Sequence, residues 1–162
     1  MLLLLFILDS WPEYFTIADD TFNFDKQRVI DFCNLLIEKN LQIEWDCPQG
    51  IRADKLTPEI VKLMKKAGCK LLAMSIESVD TDVLKMIQKG ETIDQIKAAI
   101  KAVNEAGIIS KAFFLVGLPG DSVEKVLKSI KSAAISCFEY IAVQPRASAC
   151  PIFRDARSPS SI

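Results

Sequence analysis

The stretch TPEIVKLMKKAGCKLLAMSIES, residues 57–78, decides the fold. Thr57 can cap a helix and Pro58 suits its first turn; Ile60, Leu63, Met64 and Ala67 recur at helical spacing. Gly68 then stops the helix where a left-handed residue is wanted. The apolar run KLLAMSI from Lys70 follows and ends on Glu77 and Ser78. A strand entered through a helix, and apolar on both faces, belongs in a parallel sheet covered on both sides.

The same alternation extends both ways. Strand-like runs begin at Tyr14 (YFTIA), Gln42 (QIEWD), Lys111 (KAFFLVG) and Glu139 (EYIAV). Between the first two, Val29, Cys33 and Leu36 form an apolar stripe after a cap at Asp25. Beyond Ser78, a short helix is expected from Thr81 to Gln88, with a break at Gly90. A longer helix follows, opened by a Thr92–Gln95 capping box and closed by Gly107. Asp121 with Glu124 predicts a second capping box before Val126, Leu127, Ile130 and Ala134. Four helical connections thus join five strands. The fold class is α/β, either an incomplete (β/α) barrel like a TIM barrel or a doubly wound sheet. The similar length of the units favours the barrel, and no glycine-rich dinucleotide fingerprint or P-loop follows any strand.

The chain has 162 residues, half of them apolar, against about 250 in a complete barrel of this kind. One incomplete domain over residues 14–146 is therefore expected, with an apolar segment at 1–13 and a tail at 147–162, disordered or the stub of a longer chain. Twenty basic and twenty-one acidic residues give no long-range field for nucleic acid or anionic lipid. The absence of histidine leaves carboxylates, thiols, arginine, lysine or an imported cofactor for any chemistry. Five widely spaced cysteines (Cys33, Cys47, Cys69, Cys137, Cys150) contain no C-x-x-C pair and read as reduced core thiols of a cytoplasmic protein. Of these, Cys47 is expected near the strand-end rim. MLLLLFIL is shorter than the roughly 20 apolar residues that span a bilayer and lacks a basic leader, so it is expected to be buried or to be a cut end.

In parallel barrels, function gathers at the carboxyl ends of the strands. Here those ends carry Asp19 and Asp20, then Asp46 with Gln49 and Arg52, then Glu77 and Ser78, then Gly117, Pro119 and Gly120, and last Gln144. Asp19 can bond a turn amide or meet a ligand. An unpaired carboxylate at the mouth is costly, so Glu77 needs either a ligand or a salt bridge to Arg52. The glycines around Pro119 form a turn, a surface that a flat ligand can touch, or both.

In order and spacing, FTIADDTFNFD, IEWDCPQGIRAD, MKKAGCK, LAMSIES with VLKMIQKGET, and FFLVGLPGDSVE resemble the radical S-adenosylmethionine superfamily, over about Tyr14 to Ala134. The likeness is greatest to its cobalamin-domain and methylthiotransferase-like branches. It implies a barrel in which three cysteines of a C-x3-C-x2-C loop hold a 4Fe-4S cluster. S-adenosylmethionine chelates the fourth iron, and one electron cleaves it to a 5'-deoxyadenosyl radical.

By this resemblance Asp19 and Asp20 lie where the methionyl amino group is met. Glu77 and Ser78 face the ribose or carboxylate, and Arg52 the carboxylate. Val116 to Gly120 line the adenine, and Gln144 belongs to the sixth-strand wall.

The 162 residues contain no C-x3-C-x2-C. The expectation is therefore an internal or truncated portion of such an enzyme, inactive alone, with cobalamin possible in the parent protein. Two alternatives stand beside it: a non-catalytic module binding an adenosyl ligand or a partner, and a Mg or Mn aldolase-like barrel using Asp19, Asp20, Asp46 and Glu77. The expected partners are a small-molecule ligand and, through open barrel edges, a second copy.

Overall fold

The computed structural model describes residues 13–19, 21–135 and 140–145. In chain order the elements are β1 (Tyr14–Thr16), α1 (Lys26–Glu38), β2 (Glu44–Ile51), a 3-10 turn (Ala53–Lys55), α2 (Pro58–Lys66) and β3 (Cys69–Glu77). They continue with α3 (Thr81–Met86), α4 (Ile93–Glu105), β4 (Ile109–Val116), α5 (Val123–Ile135) and β5 (Tyr140–Pro145). All neighbouring strands pair in parallel in the order β1-β2-β3-β4-β5, so among the described residues β1 and β5 are the edges. This is the incomplete (β/α) barrel expected, with every strand following its predecessor around the curl.

Local chemistry explains where the helices begin. Asp25 accepts from the amides of Gln27 and Arg28, Thr57 from Ile60, and Asp80 from Asp82 and Val83. Thr92 and Gln95 close the expected capping box. The second expected box does not form. Asp121 turns back to accept from Gly117 and Leu118, 2.9 Å each, and Ser122 takes the Lys125 amide at 3.2 Å. The carboxylate satisfies two amides of a tight turn, which outweighs the single donor it would cap.

The core lies between the sheet and the helices. Trp45, Cys47, Leu72, Met74, Ile76 and Phe114 are at most 2% exposed and meet Val29, Cys33, Leu36, Met64, Ile96 and Val103 from the helices. An aromatic cluster closes one end: Trp45 stacks on Phe15 with centroids 6.4 Å apart and takes Phe32 edge-on at 5.3 Å. Such contacts are worth about 0.5–1.5 kcal/mol each beyond the area they bury.

Two sequence expectations are corrected here. Strand β2 runs on to Ile51, so Asp46 is its third residue and not its end. At about 3.3 Å per residue, Asp46 sits well below the rim. Cys47 is 1% exposed in the core and away from the rim, because alternation along β2 sends it to the helix side with Trp45. Residues 1–12, Asp20 and residues 146–162, with the terminal segments expected there, lie outside the described residues, as do Cys137 and Cys150. Among the described residues no helix is long and apolar enough to cross a membrane.

Candidate functional site

At the carboxyl end of β3 the chain makes an unusual turn. Glu77 has φ +68°, and the Ser78 amide donates to the Ile76 carbonyl across it at 2.9 Å. A non-glycine residue at the centre of such a three-residue turn costs of order 1–3 kcal/mol and persists only where its surroundings enforce it. The turn sends Glu77 and Ser78 different ways. Ser78 is buried, meets Ser129 Oγ of α5 at 3.4 Å and accepts from the Asp80 amide at 3.1 Å. Glu77 stays at the mouth, its side chain 18% exposed.

Arg52 does not pair with Glu77 as the sequence suggested. Its Nε donates to Asp54 Oδ1 at 2.8 Å and lies 3.9 Å from Glu91 Oε1, while Nη1 donates to the Lys89 carbonyl at 3.3 Å. The partner of Glu77 is Lys89, whose Nζ is 3.4 Å from Glu77 Oε1 and 3.7 Å from Glu91 Oε2. Proximity decides the exchange: Asp54 lies two residues from Arg52, whereas Lys89 comes over from the loop between α3 and α4.

Glu91 ties the cluster together. Its side chain is fully buried, and Oε1 accepts from the Ala53 amide at 2.9 Å. Its Oε2 is buried without a hydrogen-bond partner. Burial pushes the Glu91 carboxyl above its ordinary range, against the pull of Lys89 and Arg52. Burial would raise Asp54 too, but the hydrogen bond from Arg52 and its positive charge overcome it and hold Asp54 below its ordinary value. The hydrogen bond to Asp54 raises Arg52 despite its partial burial. The buried Asn23 fastens this loop to the connection between β1 and α1, donating to the Arg52 carbonyl at 2.7 Å and accepting from its amide at 2.9 Å.

The other expected residues fall around this centre. Asp19 accepts from the Thr21 amide at 2.8 Å and pairs with Arg28 at 3.0 Å, which is the turn-closing role among its two readings. Gly117 and Gly120 have φ +87° and +82° on either side of Pro119, and a Cβ on Gly120 would collide with the Met86 sulfur. Gln144 lies in β5, in register with Leu115. The structure therefore joins Arg52 and Glu77 in one ion network through Glu91 and Lys89, buries Ser78 against α5 and uses Asp19 locally. Lys89, Glu91, Asp54 and Asn23 escaped the sequence reading. The only trace was Lys89 and Glu91 flanking Gly90, charged residues beside the expected helix break.

The described thiols do not suit an iron-sulfur cluster. Cys33, Cys47 and Cys69 sit buried on α1, β2 and β3. Burial pushes Cys33 and Cys47 up to about 12, and Cys69 well above its ordinary value. Among the described residues no group of three Cys, Asp or Glu could hold a metal ion.

A parallel half-barrel with a charged strand-end mouth defines a protein of the (β/α)-barrel class. Comparison with known proteins narrows this. The sequence pattern of the Radical SAM superfamily matches residues 5–133. An uncharacterized methyltransferase of Pyrococcus horikoshii is 32% identical over 115 residues, 71% of this chain and 25% of that protein. An anaerobic magnesium-protoporphyrin IX monomethyl ester cyclase of Rubrivivax gelatinosus is 28% identical over 120 residues, 74% of this chain and 22% of that protein. The radical S-adenosylmethionine methyltransferase TsrM of Kitasatospora setae, solved with cobalamin and a [4Fe-4S] cluster bound, superposes with TM-score 0.75 at 14% identity. That match covers 82% of this chain and 26% of TsrM. The chain belongs to the radical S-adenosylmethionine superfamily and spans about a quarter of the curated relatives it matches. The family is one that uses S-adenosylmethionine and a 4Fe-4S cluster.

Proposed function

We propose that this half-barrel supplies the S-adenosylmethionine cradle of a radical enzyme, with Glu77 as the principal contact. The turn at Glu77 carries the reading: φ +68° holds a carboxylate at the mouth instead of letting it fold away with Ser78. Glu77 can accept from ribose hydroxyls or from the ligand's ammonium, and Arg52, linked to it through Glu91 and Lys89, is the cation proposed for a carboxylate. The glycine turn at Gly117 and Gly120 offers backbone to a flat adenine. Asp19, Asp20, Pro119 and Gln144 complete the proposed surround, whereas Ser78, buried against Ser129, holds the turn that presents Glu77 and is not itself a proposed contact.

When bound, a 4Fe-4S cluster would supply the electron that cleaves the ligand. The described thiols do not fit it, so this chain by itself is proposed not to cleave S-adenosylmethionine. The same misfit supports a second reading, a non-catalytic module for an adenosyl ligand. The Mg or Mn reading finds no such support, since Asp19 and Glu77 are engaged by Arg28 and Lys89. Cobalamin in the parent protein is supported by the likeness to TsrM and to the cobalamin-dependent OxsB, which superposes with TM-score 0.60 at 23% identity. Among the described residues β1 and β5 are the sheet's edges, which supports self-association; a monodisperse monomer in sedimentation would count against it.

The test is calorimetric titration of S-adenosylmethionine into the chain and its Glu77→Gln variant. A charge-assisted hydrogen bond of about 1.5–3 kcal/mol predicts a loss of roughly ten- to a hundredfold in affinity. Equal affinity would remove Glu77 from the site.

A further inference from the structure

Lys89 is shared unevenly between two carboxylates that differ in one respect. Glu77 faces the mouth, whereas Glu91 is fully enclosed and leaves Oε2 without a hydrogen-bond partner 3.7 Å from the Lys89 ammonium. The neighbouring charges are few. Arg52 and Lys89 face Asp54, Glu77 and Glu91, two cations against three carboxylates. Arg52 is committed to Asp54 and the Lys89 carbonyl, and it approaches only the far oxygen of Glu91. Glu91 Oε2 is thus a vacant acceptor, and Lys89 is the charge within reach of it.

We propose that Glu91 is a positioning residue that draws Lys89 away from Glu77 when a ligand donor arrives, so that Glu77 is masked in the free protein and released on binding. This rests on the reading of Glu77 as a ligand contact. A ribose hydroxyl or ammonium that takes Glu77 displaces Lys89, and a lysine left without an anion in this partly buried place would oppose binding. Moving Lys89 a few tenths of an ångström toward Oε2 turns a loose ion pair into a hydrogen bond and satisfies the orphan oxygen. The ligand class selected is one that presents hydrogen-bond donors, neutral or cationic. An anionic group at Glu77 would gain nothing from the exchange. Glu91 itself touches no ligand, since its side chain has no exposed surface.

The experiment is a double-mutant cycle on the whole chain, using Glu91→Gln, Lys89→Met and both together, with S-adenosylmethionine as the probe. Glu91→Gln keeps an oxygen for the Ala53 amide and replaces the anionic oxygen facing Lys89 with an uncharged NH2 group. It should weaken binding about three- to tenfold. In the Lys89→Met background the same change should have no effect on affinity, whereas a distortion of the 52–55 turn would weaken binding in both backgrounds. A ligand-free arm checks the sharing directly: Glu77→Gln should lower the melting temperature more in the Glu91→Gln background, where Lys89 belongs to Glu77 alone. Normal wild-type binding with unchanged affinity in Glu91→Gln overturns the transfer and leaves the Glu77 reading intact. Equal melting losses in the two backgrounds overturn the sharing of Lys89. Absence of wild-type binding removes the reading of Glu77 itself, and the transfer with it.

Discussion

The indole N–H of Trp45 donates to the Ala67 carbonyl at 2.8 Å, so the start of β2 is bonded to the C-cap of α2. The carbonyls of a helix's last turn lack intrahelical donors, and this one is buried. Trp45→Phe keeps most of the ring contacts with Phe15, Phe22 and Phe32 but leaves that carbonyl unpaired. The expected loss is about 1–3 kcal/mol, read from urea unfolding. Trp45→Ala should cost about 3–5 kcal/mol because it also empties the cluster.

Glycines that end helices here differ in what surrounds them. Gly68 has φ +94°, and a Cβ there would collide with the Ile43 carbonyl; Gly107 has φ +66°, with only the end of Lys65 nearby, 3.8 Å from such a Cβ. Gly107→Ala should cost about 1–2 kcal/mol, the ordinary penalty for a left-handed non-glycine residue. Gly68→Ala should cost more than that, since backbone must also move. Similar midpoints for the two variants in thermal unfolding would refute the assigned crowding.

These two glycines also show what was legible in the sequence. A stop after an apolar stripe, followed by an apolar run, specifies helix then strand, and all five strands and their order followed from that repetition. The mouth was less legible. Glu77 stood out because it ends a strand directly, yet its partner could not be found by proximity in sequence. Lys89 and Glu91 lie in a loop whose path depends on how α3 packs. Periodicity treats a charged residue beside glycine as solvated, while the fold encloses Glu91 completely. Cys47 was misplaced because β2 continues through Pro48 to Ile51, and nothing local announces where a strand containing proline ends.

The buried thiols make a chemical prediction. In the native protein Cys33, Cys47 and Cys69 should resist alkylation and should acquire no cluster on anaerobic treatment with iron and sulfide. Mass mapping would check both, and labelling of Cys47 at the rate of an unfolded thiol would refute its placement. Stability has a matching sign. Cys47 rises from 9.0 to about 12, so the unfolded chain loses this proton first and stability falls as pH climbs from 9 towards 12. Below pH 9 the thiol is neutral in both states and costs nothing. Between pH 8 and 10.5 the Cys47→Ala variant should therefore lose about 2 kcal/mol less than the wild type, at about 1.4 kcal/mol per pH unit.

Glu91 should set the slope of stability on the acid side of neutrality. Burial raises its carboxyl above the ordinary 4.5 despite Lys89 and Arg52, the cations that face it. Between neutrality and that ordinary value the folded chain therefore binds a proton more readily than the unfolded chain, and stability rises as pH falls. Asp54, the other carboxylate of the cluster, acts in the opposite sense and lower down. Its value lies below 3.8, so its contribution is present above that pH and is lost only as pH falls further. The two windows are separable. Urea midpoints measured from pH 7 to pH 5 should rise in the wild type relative to Glu91→Gln, which has no proton to take up at this position. The variant should fold at pH 7 with little loss, because it removes a buried charge while keeping the acceptor for Ala53, and Arg52 retains Asp54. Parallel curves for the two proteins across this window would mean that Glu91 is held as a normal carboxylate. The vacant oxygen would then be satisfied in solution, and the reason for Lys89 to move toward it would be gone.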